Sequence, residues 1–185
     1  MRQTALLVAC TLALFLCAGS AWAQTDELRV DYFSNAHGSG PDAIVRITNP
    51  GTAAGNVCAS IFVFDPEQEL SECCSCLTTP DGLRTLSVNT NLTGNPLTGV
   101  TLSTGVIKIV STIPVSGGCP LPTAVKPEPA LRWWTTHIQN SGAVTETGSQ
   151  DATLSTGEIN RLAAQCTAIK LDGSGHGVCT CGTGD

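Results

Sequence analysis

The sequence predicts a mainly β, sandwich-like domain: Ig-like antiparallel sheets with one C-terminal α-helix, stapled by disulfides. Three observations carry the prediction. Short apolar segments with period 2, or apolar on both parities, are separated by Pro- and Gly-containing turns. One segment near the C-terminus switches to helical periodicity. Cysteine is dense, 10 in 185 residues, with three inside "ECCSC" (72–76), which in an exported chain reads as a disulfide framework.

Export is read from the start of the chain. Arg2 precedes the apolar run "ALLVACTLALFLCAGSA", and "AWAQ" offers small residues at Ala21 and Ala23 for cleavage before Gln24. Residues 1–23 are therefore expected to be a signal peptide, since Asp26 and Glu27 leave the run short for a helix retained in the bilayer. Leu16 stands where a lipoprotein signal at Cys17 wants a small residue. The expected location is periplasmic or secreted, with no membrane insertion after cleavage. Residues 24–185 read as a single disulfide-rich β domain ending in a Gly- and Cys-containing tail. Losing Arg2 takes the net charge from −6 to −7, and Lys and Arg are not clustered, which argues against nucleic acid and anionic membrane surfaces as partners. The aromatics after Gln24 are Tyr32, Phe33, Phe62, Phe64, Trp133 and Trp134. The core must then be mostly Val, Ile and Leu, with disulfides supplementing it.

The strands follow in order. "ELRVDYF" (27–33) alternates Leu28, Val30 and Tyr32 with Arg29, Asp31 and Phe33. "AIVRIT" (43–48) runs into "NPG", where Pro50 and Gly51 stop it. "NVCASIFVF" (56–64) is apolar on both parities, the mark of a central strand. "DPEQE" (65–69) and "TPDG" (79–82) are turns, the second with Pro80 and Gly82 placed for type I. "LRTLSVN", "VIKIVSTI" and "LRWWTTHIQ" (131–139) complete the set, for an expected five to eight strands. In the last, period 2 sends Trp133 and Trp134 to opposite faces; the expected arrangement is one indole in the core and the other partly covered by a loop, the alternative being an exposed indole that stacks on a sugar ring.

The helix is expected near 156–169. Ser155 and Glu158 have capping-box spacing, Leu154 and Ile159 stand as a hydrophobic staple, and Ile159, Leu162, Ala163, Cys166 and Ile169 share one face. That face carries a thiol toward whatever the helix packs on.

Cleavage removes Cys10 and Cys17 and leaves Cys58, Cys73, Cys74, Cys76, Cys119, Cys166, Cys179 and Cys181. If residues 73–76 are extended, Cys74 and Cys76 point to one face and Cys73 to the other. Bridges within so short a segment are strained, so each of the three needs a partner elsewhere; the pairing itself stays open. The competing reading is a zinc or cuprous copper site built from Cys73, Cys74, Cys76, His176, Cys179 and Cys181, but paired C-x-x-C knuckles are lacking. "DGSGHG" (172–177) mimics a calcium loop only in part, with His176 where oxygen is wanted and Thr183 in place of the bidentate Glu.

No motif for catalysis is found: no G-x-S-x-G, H-E-x-x-H, P-loop or G-x-G-x-x-G. His37, His137 and His176 are far apart in sequence, and Glu67 and Glu69 sit on a turn. The run "NVCASIFVFDPEQELSECCSCLTTPDGLRTLSVNTNLTGNP" (56–96), with Cys166 and the terminal "CTC", resembles a group of secreted bacterial proteins sharing an ECCSC-type motif. The resemblance implies export and a common β scaffold, and no activity comes with it. The expectation is a secreted, non-catalytic structural or binding protein of the cell exterior, without a cofactor; its partner stays open, an extracellular protein and a polysaccharide being the candidates. The alternatives are the metal site above and an extracytoplasmic enzyme.

Overall fold

The structure is a computed structural model that describes residues 28–139 and 141–182; the expected signal peptide, 1–23, lies outside the described residues. Every residue of strand β3 (Val57–Phe64) is buried, and the rest of the architecture explains why. β3 pairs on one edge with β4 (Leu70–Thr78) and on the other with β6 (Gly105–Thr112), both antiparallel. Its two faces are covered by different layers.

Val57, Ala59, Ile61 and Val63 face a second sheet. They meet Val45 and Ile47 of β2 (Ile44–Thr48), Leu86 of β5 (Leu83–Ser87) and Trp133 of β7 (Arg132–Ile138) in one apolar cluster. Phe62 and Phe64 face the other way, joining Leu28 of β1 (Leu28–Phe33) and Val110 in a second cluster closed by Leu162, Cys166 and Ile169 of helix α1 (Thr156–Asp172). The layers are therefore sheet, sheet, helix. The five-stranded sheet runs β4-β3-β6-β1-β9 and the four-stranded sheet β5-β2-β7-β8, with β8 Val144–Gly148 and β9 Gln150–Ala152. Among the described residues no helix is long and apolar enough to cross a membrane.

Two antiparallel sheets facing one another and a single covering helix agree with the sequence reading, and the differences are local. The nine strands among the described residues exceed the expected five to eight because β8 and β9 carry little apolar signal. All five residues of β8, "VTETG", are exposed. A short π-helical turn, Val88–Leu92, follows β5 and takes in the end of the expected strand "LRTLSVN"; Ser87 Oγ accepts from the Thr90 amide at 2.8 Å, and Val88 and Leu92 are buried. The "TPDG" turn closes with the Gly82 amide donating to the Thr79 carbonyl at 2.9 Å. Asp81, its third residue, has φ 61°, which belongs to type II rather than the expected type I.

At the helix start Ser155 Oγ accepts from the Glu158 amide at 3.1 Å. The reciprocal half of a capping box is absent because the Glu158 carboxylate is held elsewhere: Lys108 Nζ at 2.7 Å ties it to β6, and Arg161 donates to both its oxygens. Arg161 above all, and Lys108 with it, pulls the Glu158 carboxyl down to about 2 against the opposing effect of burial. Gly173, with φ 68°, ends the helix in the left-handed conformation.

Candidate binding surface

The sulfur cluster resolves into staples. β4 is extended, so Cys74 and Cys76 face the inter-sheet core while Cys73 faces the helix. Cys73 bonds Cys166 on α1, and Cys74 and Cys76 bond Cys179 and Cys181. The C-terminal segment lies parallel to β4, with the Cys73 amide donating to Gly177 O at 2.9 Å and the Cys179 amide to Cys73 O at 3.3 Å. Two C-x-C sequences, each with side chains at period 2, thus meet in order, and the segment covers an edge of the five-stranded sheet that would otherwise be open to pairing. A fourth bridge, Cys58 to Cys119, ties β3 to the loop before β7.

This arrangement decides what the candidate metal residues do. Cys73, Cys74, Cys76, Cys179 and Cys181 are half-cystines, and a disulfide sulfur is not the thiolate that zinc or cuprous copper requires. His176 contacts Asn95 Oδ1 through Nδ1 at 2.9 Å. Glu67 and Glu69 remain on the β3–β4 turn, which Asp65 organises by accepting from the Glu69 amide at 2.8 Å. His37 is bonded to Thr93 Oγ1 at 2.8 Å.

Among the described residues, His137 is the one histidine beside a carboxylate. Its Nε2 lies 2.9 Å from Thr147 Oγ1 and 3.4 Å from Asp31 Oδ1, and Asp31 Oδ2 accepts from Ser149 Oγ at 3.1 Å. A hydrolase triad places carboxylate and nucleophile on opposite ring nitrogens. Here both partners share Nε2, and Nδ1 is buried without a hydrogen-bond partner. The ring instead supports Tyr32, stacked on it with centroids 4.4 Å apart. Tyr32 is 53% exposed.

Glu72 was not singled out from the sequence although it belongs to "ECCSC". Its side chain falls on the same parity as Cys74 and Cys76, and it is wholly buried. Oε1 accepts from the Asn95 amide at 2.9 Å, while Oε2 meets no hydrogen-bond donor. Burial pushes its carboxyl up to about 7, against the Asn95 hydrogen bond. Asn95 also accepts from the Gly177 amide and donates to Gly175 O and Val178 O, so the carboxyl adjoins the residue that holds the C-terminal segment.

Among the described residues, the outer side of the four-stranded sheet is exposed around Trp134 and Arg132, while Thr136 and Ile138 on the same parity are buried. Trp133 is 3% exposed in the core and Trp134 is 40% exposed at the centre of that face, as period 2 requires. Arg46 is opposite Trp134 on β2 and Gly148 is opposite it on β8. Arg46 is paired with Glu146. A Cβ placed at Gly148 would meet nothing within 4 Å, so the β8 position opposite the indole holds no side chain. Thr48, Thr85 and Arg132 supply hydrogen-bonding groups around it on the same parity. Comparisons with protein-family models, curated proteins and solved structures find no match for this chain.

Proposed function

We propose that this chain is an exported, non-catalytic binding protein that docks an extracellular polysaccharide on the outer face of the four-stranded sheet. The observation that carries the reading is Trp134, an indole 40% exposed on the outer side of the four-stranded sheet, with Arg46, Thr48, Thr85 and Arg132 around it on the same parity. An aromatic ring offers the apolar surface on which the C–H face of a sugar stacks, and the flanking guanidinium and hydroxyl groups suit its hydroxyls. A stable protein partner wants a wider apolar core to its interface, and here the other large exposed apolar residues, Leu83 and Val144, lie on the edge strands. Four disulfides suit an oxidising, extracytoplasmic setting. The sharing of His137 Nε2 by Asp31 and Thr147 supports a role outside catalysis.

Trp134→Ala is expected to abolish retardation of the protein in gels containing a polysaccharide that retards the parent, while the variant still folds and unfolds cooperatively. Undiminished retardation by the variant would remove Trp134, and with it this reading.

A further inference from the structure

The helix side of the five-stranded sheet carries a groove made of two adjoining clefts. The first, of about 430 Å³, is bordered by the β3–β4 turn and the early turns of α1, and is lined by Phe64, Asp65, Gln68, Val106, Lys108 and Arg161. The second, of about 290 Å³, is lined by Val30, Tyr32 and Asp31 among others, and Val106 belongs to both. The register explains the continuity. Val106 on β6 is opposite Phe64 on β3 at one side and Tyr32 on β1 at the other, and directly opposed residues project to the same face. Phe64 and Tyr32 are thus two strand spacings apart, about 10 Å.

The groove changes character along that line. At the Phe64 end, Lys108 Nζ and the Arg161 guanidinium each lie 5.2 Å from the ring centroid, and the two cations share a single carboxylate, Glu158. Their hydrogen bonds use one of the three Lys108 donors and three of the five Arg161 donors, so charged donors remain for a second anion. Arg161 above all, with Lys108, already holds the Glu158 carboxyl down to about 2 against the effect of burial. Val106 and Val30, in the middle, are half-buried. At the far end Tyr32 is 53% exposed and His137 is stacked on one side of its ring. That support holds the ring in place before a ligand arrives, which reduces the ordering cost of binding.

We propose that this groove binds an arylalkanoate, a small acid whose carboxylate sits with Lys108 and Arg161, whose alkyl spacer crosses Val106 and whose aromatic ring stacks on Tyr32. Trp134 lines neither cleft, so the site is separate from the polysaccharide face and does not rest on that reading. Charge and size select the class. Asp65 lines the first cleft and Asp31 the second, and the whole chain has a net charge of −6. One negative charge is therefore matched at the cations, while a second one, or a polyanion, is repelled. Clefts of a few hundred Å³ with an apolar floor and a few convergent polar groups fit a small molecule.

Isothermal titration of the full chain with phenylbutyrate tests the proposal, with phenylbutanol as the probe lacking the charge and hexanoate as the probe lacking the ring. Phenylbutyrate is expected to bind at one saturable site, and both control probes to bind at least about tenfold more weakly. Tyr32→Ala and Arg161→Gln should each weaken phenylbutyrate by about tenfold or more. Lys108 still pairs with Glu158 in the second variant, and cooperative unfolding checks that both variants fold.

If either variant does not fold, backbone NMR of the parent decides: phenylbutyrate should shift Tyr32, Val106 and Lys108, and shifts confined to other residues overturn the proposal. Equal binding of phenylbutanol overturns the cationic end, and undiminished binding of hexanoate or by Tyr32→Ala overturns the ring position; the proposal fails with either. It fails also if the parent does not bind phenylbutyrate at millimolar concentration. None of these results bears on retardation by polysaccharide, which Trp134→Ala tests separately.

Discussion

Replacing Cys73 and Cys166 together by alanine is expected to lower the stability of the folded chain by about 2 to 5 kcal/mol, the cost usual for a native disulfide in a small exported domain. The bridge joins residues 93 apart in sequence, so in the chain-entropy picture its loss releases a long closed loop in the unfolded state. Both half-cystines are fully buried in the cluster with Phe62, Leu162 and Ile169, so the sulfur atoms also fill space between sheet and helix. Chemical denaturation at equilibrium reads the effect. A double variant with an unchanged midpoint would show that the helix is held by packing alone.

The second large effect concerns Glu72 and runs with pH. The folded chain holds the Glu72 proton up to about pH 7, the unfolded chain only to about 4.5. Between those values the folded state binds more protons, so stability falls as pH rises through that window and levels off above it. The full shift corresponds to about 3 kcal/mol. Glu158 acts in the opposite direction: its folded value is near 2, so its contribution is present above about pH 4.5 and is lost as pH falls toward 2. Together the two groups place maximal stability near pH 4.5 to 5. Glu72→Gln keeps an acceptor for the Asn95 amide and cannot ionise. It is expected to match the parent at pH 4.5 and to exceed it at pH 8 by about 1 to 3 kcal/mol. A variant retaining the parent's slope between pH 5 and 8 would show that Glu72 is not the source of the dependence.

Much of this architecture could be read from residue order because burial imposes a period. β3 was recognisable as central since both parities are apolar, and the helix since Leu162, Cys166 and Ile169 recur on one face. The opposed faces of Trp133 and Trp134, and of Cys73 against Cys74 and Cys76, follow from the pleat alone. What could not be read has a common physical cause. β8 is exposed throughout and β9 has three residues, so neither needs an apolar pattern, and both are fixed by pairing with β7 and β1. Glu72 was legible in part: period 2 places it inward with Cys74 and Cys76, but its lack of a second hydrogen-bond partner depends on the segment around Asn95, 23 residues away. The meeting of Tyr32, His137 and Gly148 joins three segments and carries no local signal. The partner of each cysteine was likewise undetermined until the C-terminal segment was seen to run parallel to β4.

The account rests on sulfur that builds a scaffold instead of binding metal. Peptide mapping of the protein produced in an oxidising compartment, under non-reducing conditions, tests this most directly. It is expected to recover Cys58 with Cys119, Cys73 with Cys166, Cys74 with Cys179 and Cys76 with Cys181. Free thiols at Cys73, Cys74 and Cys76, or a bridge between any two of them, would contradict it.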